Sequence, residues 1–205
     1  MRHWGTVRLN QFTRIAAVLA LFVFPLSALP VNPEQQRRDY TAALAALGLG
    51  DLETFAQLRA TLDDYPLAIY LDYYRLRRDP AGVSPGEAVA FLDRSADTPL
   101  PNRLLSAYLR EAGKARRWED FLAVKPDEPN SVYLKCYYLR ARLARGEKAL
   151  AWEGAQRLWV HGESQPKECD PLFDAWLADG QLIDEIVWTR LLNAFEARQR
   201  SLLFY

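Results

Sequence analysis

The sequence predicts an all-α superhelix, a solenoid of stacked antiparallel helical hairpins. Three observations carry that expectation. Beyond residue 29, apolar residues recur at helical spacing and no segment alternates strictly like a half-buried strand. The turns between the periodic segments are short, which makes consecutive helices antiparallel neighbours. No long heptad run is present that would close a single bundle.

In chain order, Leu67, Tyr70, Leu71 and Tyr74 form the first clear stripe, with Pro66 suited to a first turn after Asp63-Asp64. Ser84-Pro85-Gly86-Glu87 reads as a capping box that opens a helix burying Val89, Phe91 and Leu92. Leu104, Tyr108 and Ala112 continue the pattern, with Gly113 as the expected terminus. Val132, Cys136, Leu139 and Leu143 make the next stripe, ended by Gly146. Ala151, Trp152, Ala155, Leu158 and Trp159 follow, ended by Gly162. Asp170-Pro171 opens another helix, and residues 182–200 form the last. The total is about nine or ten helices of roughly 8–18 residues. Gly113 and Gly146 lie 33 residues apart, each shortly before a helix bearing Trp118 or Trp152, with Gly50-Asp51 as an earlier copy. That period suits tetratricopeptide-like repeats, although their consensus is not met.

The chain has 205 residues, 50% of them hydrophobic and 25% charged, which is enough for a real core in one domain or two small ones. Its 26 basic and 26 acidic residues give no Lys/Arg excess, which argues against a nucleic-acid-coating surface. The balance is uneven along the chain. Arg2, Arg8 and Arg14 precede an apolar run from Ile15 to Leu29, and no acid lies among them. This is the layout of a secretory signal over residues 1–29, too short and too interrupted by Pro25 for a membrane-spanning helix. Without those three arginines the remainder carries 23 bases and 26 acids, a net charge of −3. Both cysteines, Cys136 and Cys169, fall in that remainder. An even count in an oxidising compartment favours a disulfide between them, the alternative being two buried free thiols.

No catalytic constellation is legible. Beyond the leader only His161 remains, at a helix end, where a capping or surface role suffices. Nucleophile-elbow, zinc-protease, phosphate-loop and dinucleotide motifs are all missing. The acidic pairs Asp63-Asp64, Glu119-Asp120, Asp127-Glu128 and Asp184-Glu185 sit at or near helix starts, where acids favour the helix dipole. Trp152 and Trp159, at i and i+7, share a core-facing stripe. The clusters Tyr70, Tyr73, Tyr74 and Tyr133, Tyr137, Tyr138 wrap too much of their helices to be core alone. Arg75–Arg78 and Arg140–Arg142 read as solvated faces. The expected catalytic, cofactor-binding and metal-binding residues are therefore none.

Between Asn130 and Trp176 the chain carries Cys136-Tyr137-Tyr138, Gly146, Ala151-Trp152, Leu158-Trp159, then Gly162-Glu163-Ser164-Gln165-Pro166 and Cys169-Asp170. Upstream stand Tyr65-Pro66-Leu67, Tyr70–Tyr73, and Trp118 to Lys125-Pro126. This pattern resembles the N-terminal superhelical, U-shaped region of the soluble lytic murein transglycosylases, over roughly residues 34–200. The resemblance implies a periplasmic protein acting on peptidoglycan, whose expected partners are its glycan strands and other cell-wall proteins. It implies no nucleic acid, no cofactor and no lasting membrane insertion once the leader is removed. In that family a C-terminal lysozyme-like domain supplies a catalytic Glu in a Glu-Ser motif, followed by a Gly-Leu-Met-Gln-type stretch. The Glu-Ser here, Glu163-Ser164, has no such stretch after it, and the sole Met is Met1. No catalytic role is therefore carried to Glu163. Ser201–Tyr205 is apolar and lacks a capping element, so residues 30–205 are expected to form a superhelical domain cut short at its C-terminus. The alternative function is a stand-alone periplasmic helical-repeat adaptor that binds a protein partner.

Overall fold

The computed structural model describes residues 32–203; the expected leader over residues 1–29, and Phe204 and Tyr205 of the apolar end, lie outside them. The described residues hold helices and no strand. In order these are α1 (Pro33–Leu49), α2 (Leu52–Ala60), α3 (Ala68–Arg78), α4 (Pro85–Arg94), α5 (Leu100–Lys114), α6 (Trp118–Val124), α7 (Val132–Ala144), α8 (Lys148–Trp159), a 3-10 turn (Lys167–Cys169), α9 (Asp170–Ala178), α10 (Asp184–Glu196) and α11 (Arg200–Leu203). Helices α1, α3, α5, α7 and α9 pack successively in one row, while α4 and α6 pack together behind it. That two-layer stacking of hairpins is the predicted superhelical architecture.

Five of the helix ends close with the same device. Gly50 N–H donates to the Leu47 carbonyl (3.1 Å) and Asp51 N–H to that of Ala46 (2.9 Å), the paired bonds of a Schellman motif. The same pair recurs at Arg116-Arg117, Gly146-Glu147, Gly180-Gln181 and Arg198-Gln199. The first residue of each pair is left-handed, including Arg116 and Arg198, both at φ 56°. The repeat landmark is therefore Arg116 and not Gly113, and the copies at 116 and 146 stand 30 residues apart. Trp118 opens α6 whereas Trp152 is the fifth residue of α8, so the two are not equivalent. A left-handed non-glycine backbone costs about 1–2 kcal/mol, partly offset because glycine loses more freedom on folding. Arg116→Gly is expected to raise stability by about 0.5–1 kcal/mol in urea unfolding. A fall would show that the arginine side chain holds more than its backbone costs.

Gly113 lies inside α5 and is buried. A Cβ there would run into the ring of Tyr137, so this glycine serves close helix packing and not helix termination. Gly162 is likewise no helix stop. Helix α8 already ends at Trp159, and a Cβ on Gly162 would meet the Asn193 carbonyl of α10.

The stripes need similar correction where a helix is buried on two sides. In α3 the buried residues are Ala68, Leu71, Tyr73 and Leu76, while Leu67 and Tyr74 are exposed. Ala68 and Leu71 join an N-terminal core with Ala43, Leu47, Phe55 and Leu62. Tyr73 and Leu76 face the main core. Pro66 lies in the turn before the helix. Ser84 does cap α4, accepting from Glu87 N–H at 3.2 Å. The return arm of the box is replaced by an ion pair from the Glu87 carboxylate to Arg75. Ala88 and Phe91 are buried there, and Val89 is exposed. Helix α7 lies inside the stack and buries Leu134, Cys136, Tyr137, Tyr138, Leu139 and Ala141, which explains its aromatic excess.

Candidate functional site

The most distinctive local sequence, Gly162 to Pro171, becomes a loop tied across the stack. Cys136 in α7 and Cys169 in the 3-10 turn are fully buried and joined by a disulfide, with their Cα atoms 4.9 Å apart. The free-thiol alternative is set aside. Cys169 N–H donates to the Pro166 carbonyl at 2.9 Å, which closes the turn. Arg140 Nη1 donates to the Glu168 carbonyl at 3.2 Å, and its guanidinium lies 5.2 Å over the Trp118 ring and 5.5 Å over Tyr137. Burial, and then the charge on Arg116, pulls the Arg140 guanidinium below its usual value. Burial, and then Glu168, pushes the Tyr137 phenol up. Arg140 is thus a half-buried anchor and not the solvated face that its Arg-x-Arg context predicts.

A cleft of about 480 Å³ opens between this loop, α7 and α8. It brings Glu128, His161, Glu163 and Ser164 together, as the sequence alone does not reveal. Glu128 is held between Lys135 Nζ (3.4 Å) and Arg157 Nη2 (2.9 Å). Glu163, Ser164 and His161 are exposed.

The remaining acidic pairs are structural or solvated. Asp63 pairs with Arg59 at 2.9 Å, Asp120 with Arg117 at 3.0 Å and Asp127 with Lys125 at 3.7 Å. Asp64, Asp184 and Glu185 are exposed. A larger cleft of about 920 Å³ between α2, α3 and α4 is a seam of ion pairs. Arg59 forks onto both oxygens of Asp72 (2.9 and 3.1 Å), and that bond, against burial, pushes its guanidinium up. Arg78 donates to the Leu47 carbonyl across the same seam, which fastens the first hairpin to α3. Among the described residues no cluster of three His, Cys, Asp or Glu side chains is placed to hold a metal. Nor is any helix there long and apolar enough to cross a membrane.

Trp152, Trp159 and Trp176 join helices. Trp152 Nε1 donates to Asp179 at 2.8 Å, beside Lys148 at 2.6 Å, and these bonds, the Lys148 one first, hold the Asp179 carboxyl below its usual range. Trp159 packs on Trp176 with ring centroids 5.8 Å apart, and Arg190 of α10 lies 4.6 Å over it. Both Trp152 and Trp159 are half-buried, so neither is core in the full sense the spacing predicts.

No family model matches the chain. The soluble lytic murein transglycosylase of Salmonella typhimurium is 33% identical over 168 residues, which is 82% of this chain and 26% of that protein. Its counterpart in Escherichia coli K12 is 29% identical over 167 residues, with the same coverage. The chain is a homologue of the soluble lytic murein transglycosylases. Solved transglycosylase structures agree in shape. The 70 kDa soluble lytic transglycosylase from Escherichia coli matches with a TM-score of 0.73 at 28% identity, over 84% of this chain and 28% of that one. An inactive mutant of the lytic transglycosylase Slt from Pseudomonas aeruginosa matches at 0.68 with 38% identity, over 81% of this chain and 27% of that one. The chain spans about a quarter of the length of the transglycosylases it matches.

Proposed function

We propose that this chain is an exported scaffold of a murein transglycosylase, contacting peptidoglycan glycan strands without cleaving them by itself. The carrying observation is the match to the soluble lytic murein transglycosylases across 82% of the chain, joined to the superhelical stack. The whole enzyme of this kind would cut the MurNAc–GlcNAc bond of peptidoglycan and leave a 1,6-anhydro product. A solved relative, the 70 kDa soluble lytic transglycosylase, is known in complex with bulgecin A. Two features favour a scaffold over a catalyst here. The acids of the four sequence pairs are ion-paired or exposed, and Glu163 is exposed. The arginine-led leader and the Cys136–Cys169 disulfide favour the periplasm, an oxidising compartment.

The purified chain, incubated with murein sacculi, is expected to release no 1,6-anhydromuropeptides detectable by liquid chromatography and mass spectrometry. Their appearance above the no-protein control would overturn the non-catalytic reading. A second reading, a helical-repeat adaptor for a protein partner, draws support from α10. Trp188, Leu192 and Phe195 stand at i, i+4 and i+7 there, and all three are exposed. Sedimentation with protein-stripped sacculi separates the two, because an adaptor would stay in solution.

A further inference from the structure

Helix α5 has two faces. Leu104, Tyr108 and Ala112 are buried in the core. Arg103, Ser106, Ala107 and Arg110, at i, i+3, i+4 and i+7, look into a groove shared with Tyr73 and Arg77 of α3. This groove measures about 520 Å³. Three guanidiniums line it and no carboxylate does. Arg59, Arg75, Arg117, Arg142 and Arg157 each hold a carboxylate. Arg77, Arg103 and Arg110 make no ion pair among the described residues.

Two of the three are oriented by tyrosines. Arg77 Nη1 donates to Tyr73 Oη at 3.0 Å with its guanidinium 5.8 Å over that ring. Arg110 Nη2 donates to Tyr133 Oη of α7 at 3.3 Å and lies 5.3 Å over that ring. Each guanidinium has five N–H donors in a rigid fork, so most stay free while the plane is fixed. Holding a side chain in place before a ligand arrives lowers the entropy lost on binding. The basic character is local, since the chain beyond residue 29 is net acidic. Nearby Glu111 is taken up by Lys114 at 2.9 Å, and Glu168 lies on the Arg110 side.

We propose that this α3–α5 groove is a carboxylate-binding site that grips the peptide stems of murein strands. The proposal rests on the murein reading above and adds the surface and the chemistry. Spaced planar carboxylates on an extended chain match spaced guanidinium forks that cross a row of helices. A nucleic-acid duplex requires a broader basic face than three arginines.

The test is cosedimentation of the full chain with sacculi, for the wild type and for Arg77→Gln/Arg103→Gln/Arg110→Gln. The triple variant is expected to bind at least about tenfold more weakly with a flatter salt dependence, given exposed charge contacts of modest individual strength. Its thermal melt should be unchanged, because all three side chains are exposed. The corresponding triple Arg→Lys variant should recover only part of the binding, because lysine keeps the charge and loses the fork. Sacculi with amidated carboxyls should bind the wild type as weakly as native sacculi bind the triple Gln variant. Equal binding of native sacculi by wild type and triple Gln variant would overturn the groove and leave the murein reading standing. Undiminished binding to amidated sacculi would overturn the carboxylate chemistry, and equally tight binding to duplex DNA would replace it with a generic polyanion surface. A wild-type chain that binds no sacculi would overturn both readings.

Discussion

Trp176→Ala is expected to lower the unfolding free energy by about 3–5 kcal/mol, the usual range for emptying a buried tryptophan site. Trp176 is 1% exposed and sits in the main core, against the ring of Trp159. Its loss removes the packing that holds α9 to α8. It also loosens Trp159, on which Arg190 of α10 rests. Repeat arrays lose stability locally before they lose it everywhere, so the damage should be directional. Amide exchange protection should fall first in α9 and α10 and last in α3 to α5. The control is Phe195→Ala, 71% exposed, which should stay within about 0.5 kcal/mol of the wild type in urea unfolding. Indistinguishable curves for the two variants would mean that Trp176 contributes none of the stability its burial implies.

The all-α class and the order of hairpins were legible because helical periodicity and short turns are local signals. Helix starts at Pro85 and Asp170 could be read from their proline placement, and the end of α7 from Gly146. The errors share two physical causes. Glycine has two uses, a left-handed turn and a close approach, and sequence does not say which. Gly146 is the first, Gly113 and Gly162 are the second, and the left-handed position expected near Gly113 fell to Arg116. The second cause is burial on more than one side. A single apolar stripe describes a helix packed against one neighbour, but α3 divides its buried residues between two cores and α7 is covered almost all round. Hence the Tyr73, Tyr137 and Tyr138 rings are interior, and Tyr74 is not. The site was less legible than the fold. Position in sequence separates Glu128 from Glu163 and Tyr73 from Arg103, and only the stacking of α3, α5, α7 and α8 brings them to shared clefts. The grouping of Arg77, Arg103 and Arg110 has no sequence signature, since only the packing of α3 against α5 brings them to one groove.

Breaking the Cys136–Cys169 bond is expected to cost about 3–4 kcal/mol, from the loop entropy that a 33-residue bridge removes from the unfolded chain. Both cysteines are fully buried, so reductant alone should act slowly on the folded protein and quickly once urea opens it. Non-reducing mass spectrometry should find the oxidised chain two protons lighter than the reduced one. Cys136→Ala/Cys169→Ala should reproduce the loss under any redox condition, and its curve should no longer respond to reductant. The local consequence is specific. The bond fixes the end of the Gly162–Pro166 loop to α7, beside the Arg140 bond to the Glu168 carbonyl. Protease cleavage in the double variant should therefore begin between Gly162 and Glu168, ahead of the α1–α2 turn. Reduced and oxidised chains unfolding within about 1 kcal/mol of each other would show that packing by α7 and α9 already holds the loop. A loss of this size is a large share of the roughly 5–15 kcal/mol that holds a typical domain, so the bond matters most where the surroundings keep it oxidised.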